Sequence, residues 1–351
     1  TVIGDVVTPT LNTTPESYEL HQAFAQMVEA GCEYAVMEVS SQGIKMHRTD
    51  GLYFNYAIFT NISPDHIGPG EHADFEEYLY YKTRLLNMCG IGLVNKDDEH
   101  APQIIKAANC ELYTYSEESK EADFVASDIR YVSQPDFVGT EFHISGKYDM
   151  EVRLGIPGLF NVVNALAAVS VCSFLGLDQA RISHALENIR VNGRMEIVYT
   201  SERCTVLVDY AHNAVSMESL LSTLRDYKPK RLVCVFGCGG NRSKDRRYSM
   251  GEIGGKMADL SIITADNSRY EKVEDIIADI RGSIEKTGGK FIEIPDRREA
   301  IRYSILHAQP GDMVAVIGKG HEDYQEINGV RHHFLDREVI EETVKELGEK
   351  A

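Results

Sequence analysis

Long apolar runs, paired cysteines and an excess of basic residues are all missing from this 351-residue sequence. No run approaches the ~20 apolar residues of a transmembrane helix, and no charged-then-apolar leader opens the chain. The seven cysteines are scattered without a Cys-x-x-Cys pair, which is typical of reduced cysteines and not of a zinc site or a disulfide framework. We therefore expect a soluble, cytoplasmic protein that inserts into no membrane.

The charge balance limits the partners that the protein can have. Lysine and arginine number 36 and aspartate and glutamate 54, so the net charge is −18. Because a phosphate backbone is bound by clustered lysine and arginine, nucleic acid is excluded as the main partner. The sequence starts at Thr1 without an initiator methionine, which indicates a fragment of a longer protein.

The apolar pattern predicts an α/β fold of two tandem domains, the number that this length favours. In the first half, apolar runs at 34–37, 56–60 and 92–94 alternate with segments of helical period, such as 18–29. This alternation predicts a mainly parallel sheet covered by helices. Period-2 alternation from 122 to 153 predicts a small antiparallel addition, and residues 160–177 predict an apolar helix.

A second alternation begins near residue 197 and predicts a second mainly parallel sheet. Its five strand candidates are residues 206–208, 232–236, 260–263, 290–294 and 313–317. We place the domain boundary so that the first domain comprises residues 1–197 and the second residues 198–351.

Two polar side chains stand where ligands bind in parallel sheets, just beyond the carboxyl ends of strands. Glu38 ends the first apolar run, where a buried carboxylate without a partner would be costly, and His66 follows the next run. The two could therefore lie near each other at one edge. A helix cap at Asp65 and a hydrogen-bonded loop histidine explain these residues equally well.

Lys82 lies on an apolar helical stripe formed by Phe75, Tyr78, Leu79 and its neighbours. A lysine there can bury its stem and extend its ammonium to water. It can also be neutralised or chemically modified. A carbamate on Lys82 would turn a cation into an oxygen ligand suited to a hard ion such as Mg²⁺.

Ten short segments carry a family resemblance in their order and spacing. They are Asn-Thr-Thr-Pro (12–15), Met-Glu-Val-Ser-Ser (37–41), Asn-Ile-Ser-Pro-Asp-His (61–66), Tyr-Leu-Tyr-Tyr-Lys (78–82), Gly-Leu-Phe-Asn-Val-Val-Asn-Ala-Leu-Ala-Ala (158–168), Gly-Arg-Met-Glu (193–196), Asp-Tyr-Ala-His-Asn (209–213), Gly-Cys-Gly-Gly-Asn-Arg (237–242), Asp-Asn-Ser-Arg (266–269) and Gly-Lys-Gly-His-Glu-Asp-Tyr-Gln (318–325). Together they resemble the Mur ligases, and among these most the UDP-N-acetylmuramoyl-tripeptide synthetases. That family has a central ATPase domain followed by a Rossmann-like C-terminal domain.

The resemblance implies an ATP-dependent ligase of peptidoglycan synthesis that acts through an acyl phosphate. A diamino acid would be added to UDP-N-acetylmuramoyl-L-alanyl-D-glutamate (UDP-MurNAc-dipeptide) by a monomeric enzyme. Glu38, His66 and carbamoylated Lys82 would be the catalytic residues that hold Mg²⁺. The residues implied at the ATP are Asn164, Arg194, Asp209 and His212, and those at the UDP-sugar-peptide acceptor are Asn12, Thr13, Thr14, Ser40 and Arg48.

The resemblance also assigns an amino-acid pocket to the second domain. Its implied residues are Arg242, Asp266, Asn267, Ser268, Arg269, Gly318 and Glu322. The segment 266–269 differs from the meso-diaminopimelate signature of the family, Asp-Asn-Pro-Arg, only by Ser268 in place of proline. Because a guanidinium is the natural bidentate partner of a carboxylate, Arg269 favours meso-diaminopimelate over L-lysine. A solvated loop charge is the alternative interpretation of Arg269.

Two departures from the family pattern qualify this expectation. No phosphate loop of the form G-x-x-x-x-G-K-[ST] occurs, so we expect this fragment alone to be inactive towards ATP. His66 is followed by Ile-Gly-Pro-Gly, and Lys82 lies one residue further from it than in many relatives.

Three other functions are consistent with parts of the sequence. A non-catalytic Mur-like binding module would also lack a phosphate loop, and a folylpolyglutamate synthetase would use the same acyl-phosphate chemistry. A nicotinamide-dinucleotide enzyme is disfavoured, because its third fingerprint glycine would stand where Arg242 does.

Overall fold

The computed structural model describes residues 1–348, which form two compact units. The first unit consists of Thr1–Ser127, Ile144–Asp149 and Val163–Leu177, and the second contains the segments between them and the described chain from residue 178 to residue 348. The mixed α/β fold class predicted from the sequence is confirmed. The domain boundary at residue 198 remains a prediction.

A six-stranded sheet with the order β3-β4-β5-β6-β7-β8 follows a small hairpin of β1 (Val2–Ile3) and β2 (Val6–Val7). Its strands are β3 (Phe54–Phe59), β4 (Cys89–Asn95), β5 (Glu111–Ser116), β6 (Phe124–Gln134), β7 (Phe137–Gly146) and β8 (Met150–Leu154). The pairs β3–β4, β4–β5 and β5–β6 are parallel. A two-residue connection makes β6 and β7 a hairpin, since parallel strands need a longer crossover. The predicted parallel sheet and its later addition are confirmed.

One predicted strand is wrong. Residues 34–37 belong to no strand, and Val36 is 96% exposed. The sheet ends at β3, and among the described residues the segment pairs with no strand, the open edge of β3 included. Apolar alternation predicts a strand only where a ladder and a buried face are both available.

Within residues 1–348, the α-helices that surround or follow these strands are α1 (Ser17–Glu29), α2 (Ser41–Lys45), α3 (Phe75–Arg84), α4 (Ala101–Ala107), α5 (Leu159–Phe174) and α6 (Gln179–Asn188). Helix α3 begins at a side-chain cap, because the Asp74 carboxylate accepts the N–H of Glu77 at 2.8 Å. Its Leu79 packs with Phe59 and Val94 in the core of the first unit. This packing fixes the helix that carries Lys82 against β3 and β4.

The second unit contains a six-stranded sheet with the order β13-β12-β11-β14-β10-β9. Its strands are β9 (Glu196–Thr200), β10 (Cys204–Asp209), β11 (Arg231–Phe236), β12 (Leu260–Ile263), β13 (Phe291–Glu293) and β14 (Asp312–Ile317). All pair in parallel except β9, which is antiparallel to β10. Each of the five strands predicted for the second alternation is confirmed.

Helices cover both faces of this second sheet. The clusters of buried side chains place α7 (Ala214–Asp226), α8 (Asp245–Met257) and α9 (Val273–Thr287) on one face, and α10 (Arg297–Leu306) and α11 (Asp336–Glu346) on the other. In β10, Leu207 packs into the first cluster and Val206 and Val208 into the second. Burial on both faces explains why these strands are continuous apolar runs. The result is a doubly wound, Rossmann-like sheet.

A hairpin of β15 (Tyr324–Ile327) and β16 (Val330–His333) follows β14. Between residues 1 and 348, no helix combines the length and apolar character that crossing a bilayer requires.

Candidate functional site

In the first unit, two of the three predicted metal-site residues lie against the ring of Tyr78. The Lys82 nitrogen is 5.3 Å from the centroid of that ring, and the His66 ring centroid is 5.8 Å from it. Burial lowers the pKa of Lys82, while the negative charges of Glu38, Asp98 and Asp65 act against that shift. Glu38 is thus close enough to Lys82 to act on the pKa of its amine.

The Lys82 amine has no fixed partner. It makes no hydrogen bond or ion pair with any residue in the described range 1–348, and only the Tyr78 ring contacts its charge. That same range contains no group of three His, Cys, Asp or Glu side chains able to hold a metal ion. A metal bound by Glu38 and His66 would therefore take its third ligand from another chemical group, such as a modified Lys82.

His66 occupies a strained backbone position at φ +54°, in the left-handed region that most residues avoid. The loop after it closes on itself, because the N–H of His72 donates to the His66 carbonyl at 3.0 Å and the N–H of Gly68 donates to the His72 carbonyl at 3.0 Å. The His72 ring is fully buried, with Nε2 2.9 Å from the Ser41 hydroxyl. His72 therefore anchors the loop that carries His66, a role that the sequence analysis missed.

Three of the predicted acceptor-binding residues meet around Thr14. The buried Thr14 hydroxyl donates to the Glu38 carbonyl at 3.1 Å and accepts the N–H of Ser40 at 2.9 Å. Arg48 donates to the Thr14 carbonyl at 3.2 Å and pairs with Glu16 at 2.7 Å. These bonds tie Ser40 and Arg48 to the backbone that presents Glu38.

Asn12 and Thr13 precede this cluster, half-buried and exposed respectively. Asn164, predicted at the adenine, is exposed on α5 in the first unit. The other predicted nucleotide residues belong to the second unit, and each site is described within its own unit.

In the second unit, Arg194, Asp209 and His212 surround Tyr210 at the carboxyl end of β10. The Asp209 carboxylate accepts the N–H groups of Met195 at 2.8 Å and Ala211 at 2.7 Å. Burial raises the pKa of Asp209, although these hydrogen bonds and Arg194 oppose the rise. The Arg194 guanidinium lies 5.0 Å from the Tyr210 ring centroid, and His212 Nδ1 is 2.9 Å from the Tyr210 carbonyl oxygen. The three predicted residues are therefore neighbours.

The loops after β12 and β14 bring the predicted amino-acid pocket together. Asn267 donates from Nδ2 to Glu322 Oε2 at 3.0 Å. A Cβ on Gly318, whose φ is +111°, would lie 2.8 Å from a carboxylate oxygen of Asp266. Arg269 donates to the Gly240 carbonyl at 2.8 Å, and its Nε is 3.6 Å from Glu326 Oε2.

The backbone at Gly240 packs closely against the loop that carries Ser268. A Cβ on Gly240 would lie 1.9 Å from the carbonyl oxygen of Ser268, so only glycine fits there. A Cβ on Gly239 would lie 2.8 Å from Arg269 NH1 and 3.8 Å from Cγ of the exposed Arg242. Both arginines therefore extend past the same glycine turn.

Two further residues connect the pocket and were missed by the sequence analysis. Lys319 is fully buried, and its ammonium contacts Asn267 and Glu322 at 3.4 Å and 3.2 Å. Tyr210 donates its hydroxyl to Glu322 Oε1 at 3.4 Å. The signal for Lys319 was its position between two glycines directly after an apolar strand.

The sheets and the strand-end residues define a class of α/β ligand-binding protein, and sequence comparison gives its family. The Mur ligase middle domain matches residues 1–172, and the Mur ligase, glutamate ligase domain matches residues 193–320. The chain belongs to the Mur ligase family.

Similar proteins are ligases by name. UDP-N-acetylmuramoyl-L-alanyl-D-glutamate--2,6-diaminopimelate ligase from Caldanaerobacter subterraneus subsp. tengcongensis is 39% identical over 351 residues, covering 98% of this chain and 70% of that protein. A solved structure of a ligase with the same name has a TM-score of 0.76 at 33% identity, over 95% of this chain and 69% of its own. Folylpolyglutamate synthase from Thermotoga maritima shares the fold alone, with a TM-score of 0.60 at 19% identity over 87% of this chain and 68% of its own.

Proposed function

We propose that this protein is an ATP-dependent ligase that joins meso-diaminopimelate to UDP-N-acetylmuramoyl-L-alanyl-D-glutamate in peptidoglycan synthesis. The observation that carries the proposal is the 39% identity to a ligase named for this reaction, which extends over both units. The candidate site residues support it, since the chain presents separate residue clusters suited to a metal, a nucleotide and an amino acid.

The proposed chemistry starts from the poor reactivity of a carboxylate. Transfer of the γ-phosphoryl group of ATP to the D-glutamate carboxylate gives an acyl phosphate and ADP. The α-amino group of the incoming amino acid then attacks the acyl carbon and loses a proton, an amide bond forms and phosphate leaves. Mg²⁺, when bound, supplies charge that stabilises the transferring phosphoryl group.

Glu38, His66 and Lys82 are our proposed holders of Mg²⁺, with Lys82 as its carbamate. Carbamate formation requires a neutral amine, which attacks CO₂ and loses a proton. A lowered pKa and the lack of a hydrogen-bond partner both favour that reaction at Lys82. The nearby charge of Glu38 suits a metal ligand set, because the cation would neutralise it.

We assign the nucleotide and acceptor sites by the family resemblance. Asn164, Arg194, Asp209 and His212 would contact ATP, and Asn12, Thr13, Thr14, Ser40 and Arg48 would contact the UDP-sugar-peptide. The hydrogen bonds between Thr14, Ser40 and Arg48 support a single acceptor surface. The proximity of Arg194 and Asp209 supports a common nucleotide site.

For the amino acid, the proposed pocket comprises Arg242, Asp266, Asn267, Ser268, Arg269, Gly318 and Glu322. Arg269 would bind the distal carboxylate of meso-diaminopimelate, which L-lysine lacks. Ser268 is 3% exposed and its carbonyl packs on Gly240, so the loop is held by packing although proline is absent. Glu322 would accept an ammonium group of the same ligand.

The proposed organisation is a central ATP-binding domain at residues 1–197 and an amino-acid-binding domain at 198–351, in a monomeric cytoplasmic enzyme. The test supplies the full-length gene product with ATP, Mg²⁺, UDP-MurNAc-dipeptide and either diaminopimelate or L-lysine. We expect phosphate release that depends on diaminopimelate, with a tripeptide product seen by mass spectrometry. Absence of any amino-acid-dependent release would favour a binding module, and turnover only with a folate and glutamate would favour the folate enzyme.

A further inference from the structure

A buried lysine lies inside the proposed amino-acid pocket. Lys319 has no solvent exposure and stands between Gly318 and Gly320, directly after β14. Burying an ammonium is costly unless hydrogen bonds and opposite charge compensate. Because a buried ion can often be replaced by an apolar residue without loss of stability, stability alone gives no reason for a lysine here.

The three N–H donors of the ammonium match three acceptors from separate segments. They are Asn267 Oδ1 at 3.4 Å, Glu322 Oε2 at 3.2 Å and the carbonyl oxygen of Tyr324. Asn267 belongs to the loop after β12, Glu322 to the loop after β14, and Tyr324 begins β15. One side chain therefore joins the two loops that form the pocket to the hairpin beside them.

Asn267 and Glu322 are oriented by these bonds and keep free capacity for a ligand. Asn267 Oδ1 accepts from Lys319 and from the N–H of Glu326 at 2.9 Å, which fixes Nδ2 towards Glu322. Glu322 Oε2 accepts from both Lys319 and Asn267, while Oε1 has only the longer 3.4 Å bond from Tyr210. The Glu322 side chain remains 22% exposed, so a ligand can reach Oε1.

We propose that Lys319 is a positioning residue that sets the amide of Asn267 and the carboxylate of Glu322 in the geometry that binds the incoming amino acid. Lys319 itself touches neither substrate nor nucleotide in this role. The 3.2 Å contact between the Lys319 ammonium and Glu322 Oε2 orients the carboxylate before an ammonium ligand arrives. This inference rests on the proposed ligase function.

The test compares steady-state constants of the full-length wild-type protein with those of Lys319→Met and Lys319→Gln. Methionine keeps the volume and removes all three donors, while glutamine keeps two donors without the charge. For Lys319→Met we expect the KM for diaminopimelate to rise about tenfold or more, as for a lost buried hydrogen-bond partner. The kcat and the KM for ATP should stay within about threefold, and Lys319→Gln should recover part of the KM.

Lys256→Met is the matched control, because Lys256 also pairs with a glutamate, Glu252, but is exposed on α8. It should leave every constant unchanged. The proposal would be overturned if the Lys319 variants lowered kcat and raised the KM of every substrate to the same extent. An unchanged KM for diaminopimelate would also overturn it. If Lys319→Met does not fold, Lys319→Gln decides by the same criteria, and failure of both to fold assigns Lys319 a structural role only. A wild-type protein without amino-acid-dependent turnover would instead refute the proposed function.

Discussion

The candidate site residues of the two units differ in the contacts that hold their side chains. In the second unit, Lys319, Asn267 and Glu322 satisfy one another through hydrogen bonds within the protein. In the first unit, only the Tyr78 ring contacts the Lys82 ammonium among residues 1–348, and the His66 side chain, 52% exposed, lies 3.3 Å from a carboxylate oxygen of Glu71. The comparison indicates that the proposed amino-acid pocket is held by hydrogen bonds within the protein, whereas Lys82 of the proposed metal site has no hydrogen-bond partner among residues 1–348.

The largest expected effect is at Lys82, where this difference is sharpest. Lys82→Ala in the full-length protein should reduce turnover on the order of 10³-fold, since it removes a ligand of the proposed metal that stabilises phosphoryl transfer. Phosphate release with all substrates present is the measurement. Lys106→Ala, a change near the end of α4, is the control and should leave turnover unchanged. Normal turnover by Lys82→Ala would remove the carbamate from the mechanism.

A variant of Arg297 tests how much the buried ion pair between Arg297 and Asp336 stabilises the second unit. Its guanidinium pairs with Asp336 at 2.7 Å and donates to the carbonyl oxygens of Ala265 and Ile317, where the two pocket loops begin. Arg297→Met leaves the fully buried Asp336 unpaired and should lower the free energy of unfolding by about 3–5 kcal/mol. Urea denaturation measures this.

An exposed pair provides the control for that measurement. Arg298 bonds to Glu342 at the surface, and Arg298→Met should cost less than about 1 kcal/mol. Similar losses of unfolding free energy for the two variants would show that the buried pair stabilises the fold no more than the exposed pair does.

Arg269 tests the specificity of the preformed pocket. Arg269→Met should lower kcat/KM for diaminopimelate about 10²-fold, because the distal carboxylate loses its charged partner, and should change the value for L-lysine far less. Competition between the two amino acids, followed by mass spectrometry of the products, measures the ratio. A wild-type preference for L-lysine would contradict our assignment of Arg269.

The smallest expected effect is at His72. This residue is the buried hydrogen-bonded anchor in the first unit, so it tests whether part of that unit is also held in place before a metal binds. Its buried ring anchors the loop of His66, so His72→Ala should weaken the apparent affinity for Mg²⁺ about tenfold, as losses behind a metal ligand do. Titration of turnover with Mg²⁺ measures it. His332→Ala, an exposed change in β16, should have no effect, and an equal effect of both would argue against an anchoring role.

Much of the fold could be predicted because buried helices and strands place apolar residues at regular positions in the sequence. The five parallel strands of the second unit are apolar on both faces, as Val206, Leu207 and Val208 illustrate. The segment at 34–37 is also an apolar run but pairs with no strand among residues 1–348, and an apolar run alone does not show whether a strand pairs.

The candidate site was predictable only where residue type and position pointed the same way. Asn267 and Glu322 were assigned through motifs, and they do meet across two loops. Lys319 and His72 were missed because lysine is rarely buried and histidine is found both inside and outside, and their burial here depends on hydrogen bonds between segments far apart in sequence. Such pairings leave no periodic pattern in the chain.

Labelling the D-glutamate carboxylates of UDP-MurNAc-dipeptide with ¹⁸O tests the proposed acyl-phosphate ligation most directly. If ATP activates that carboxylate, the phosphate released in the presence of diaminopimelate must carry one ¹⁸O atom from it. Phosphate without the label, released at the same rate as the tripeptide forms, would contradict the acyl phosphate.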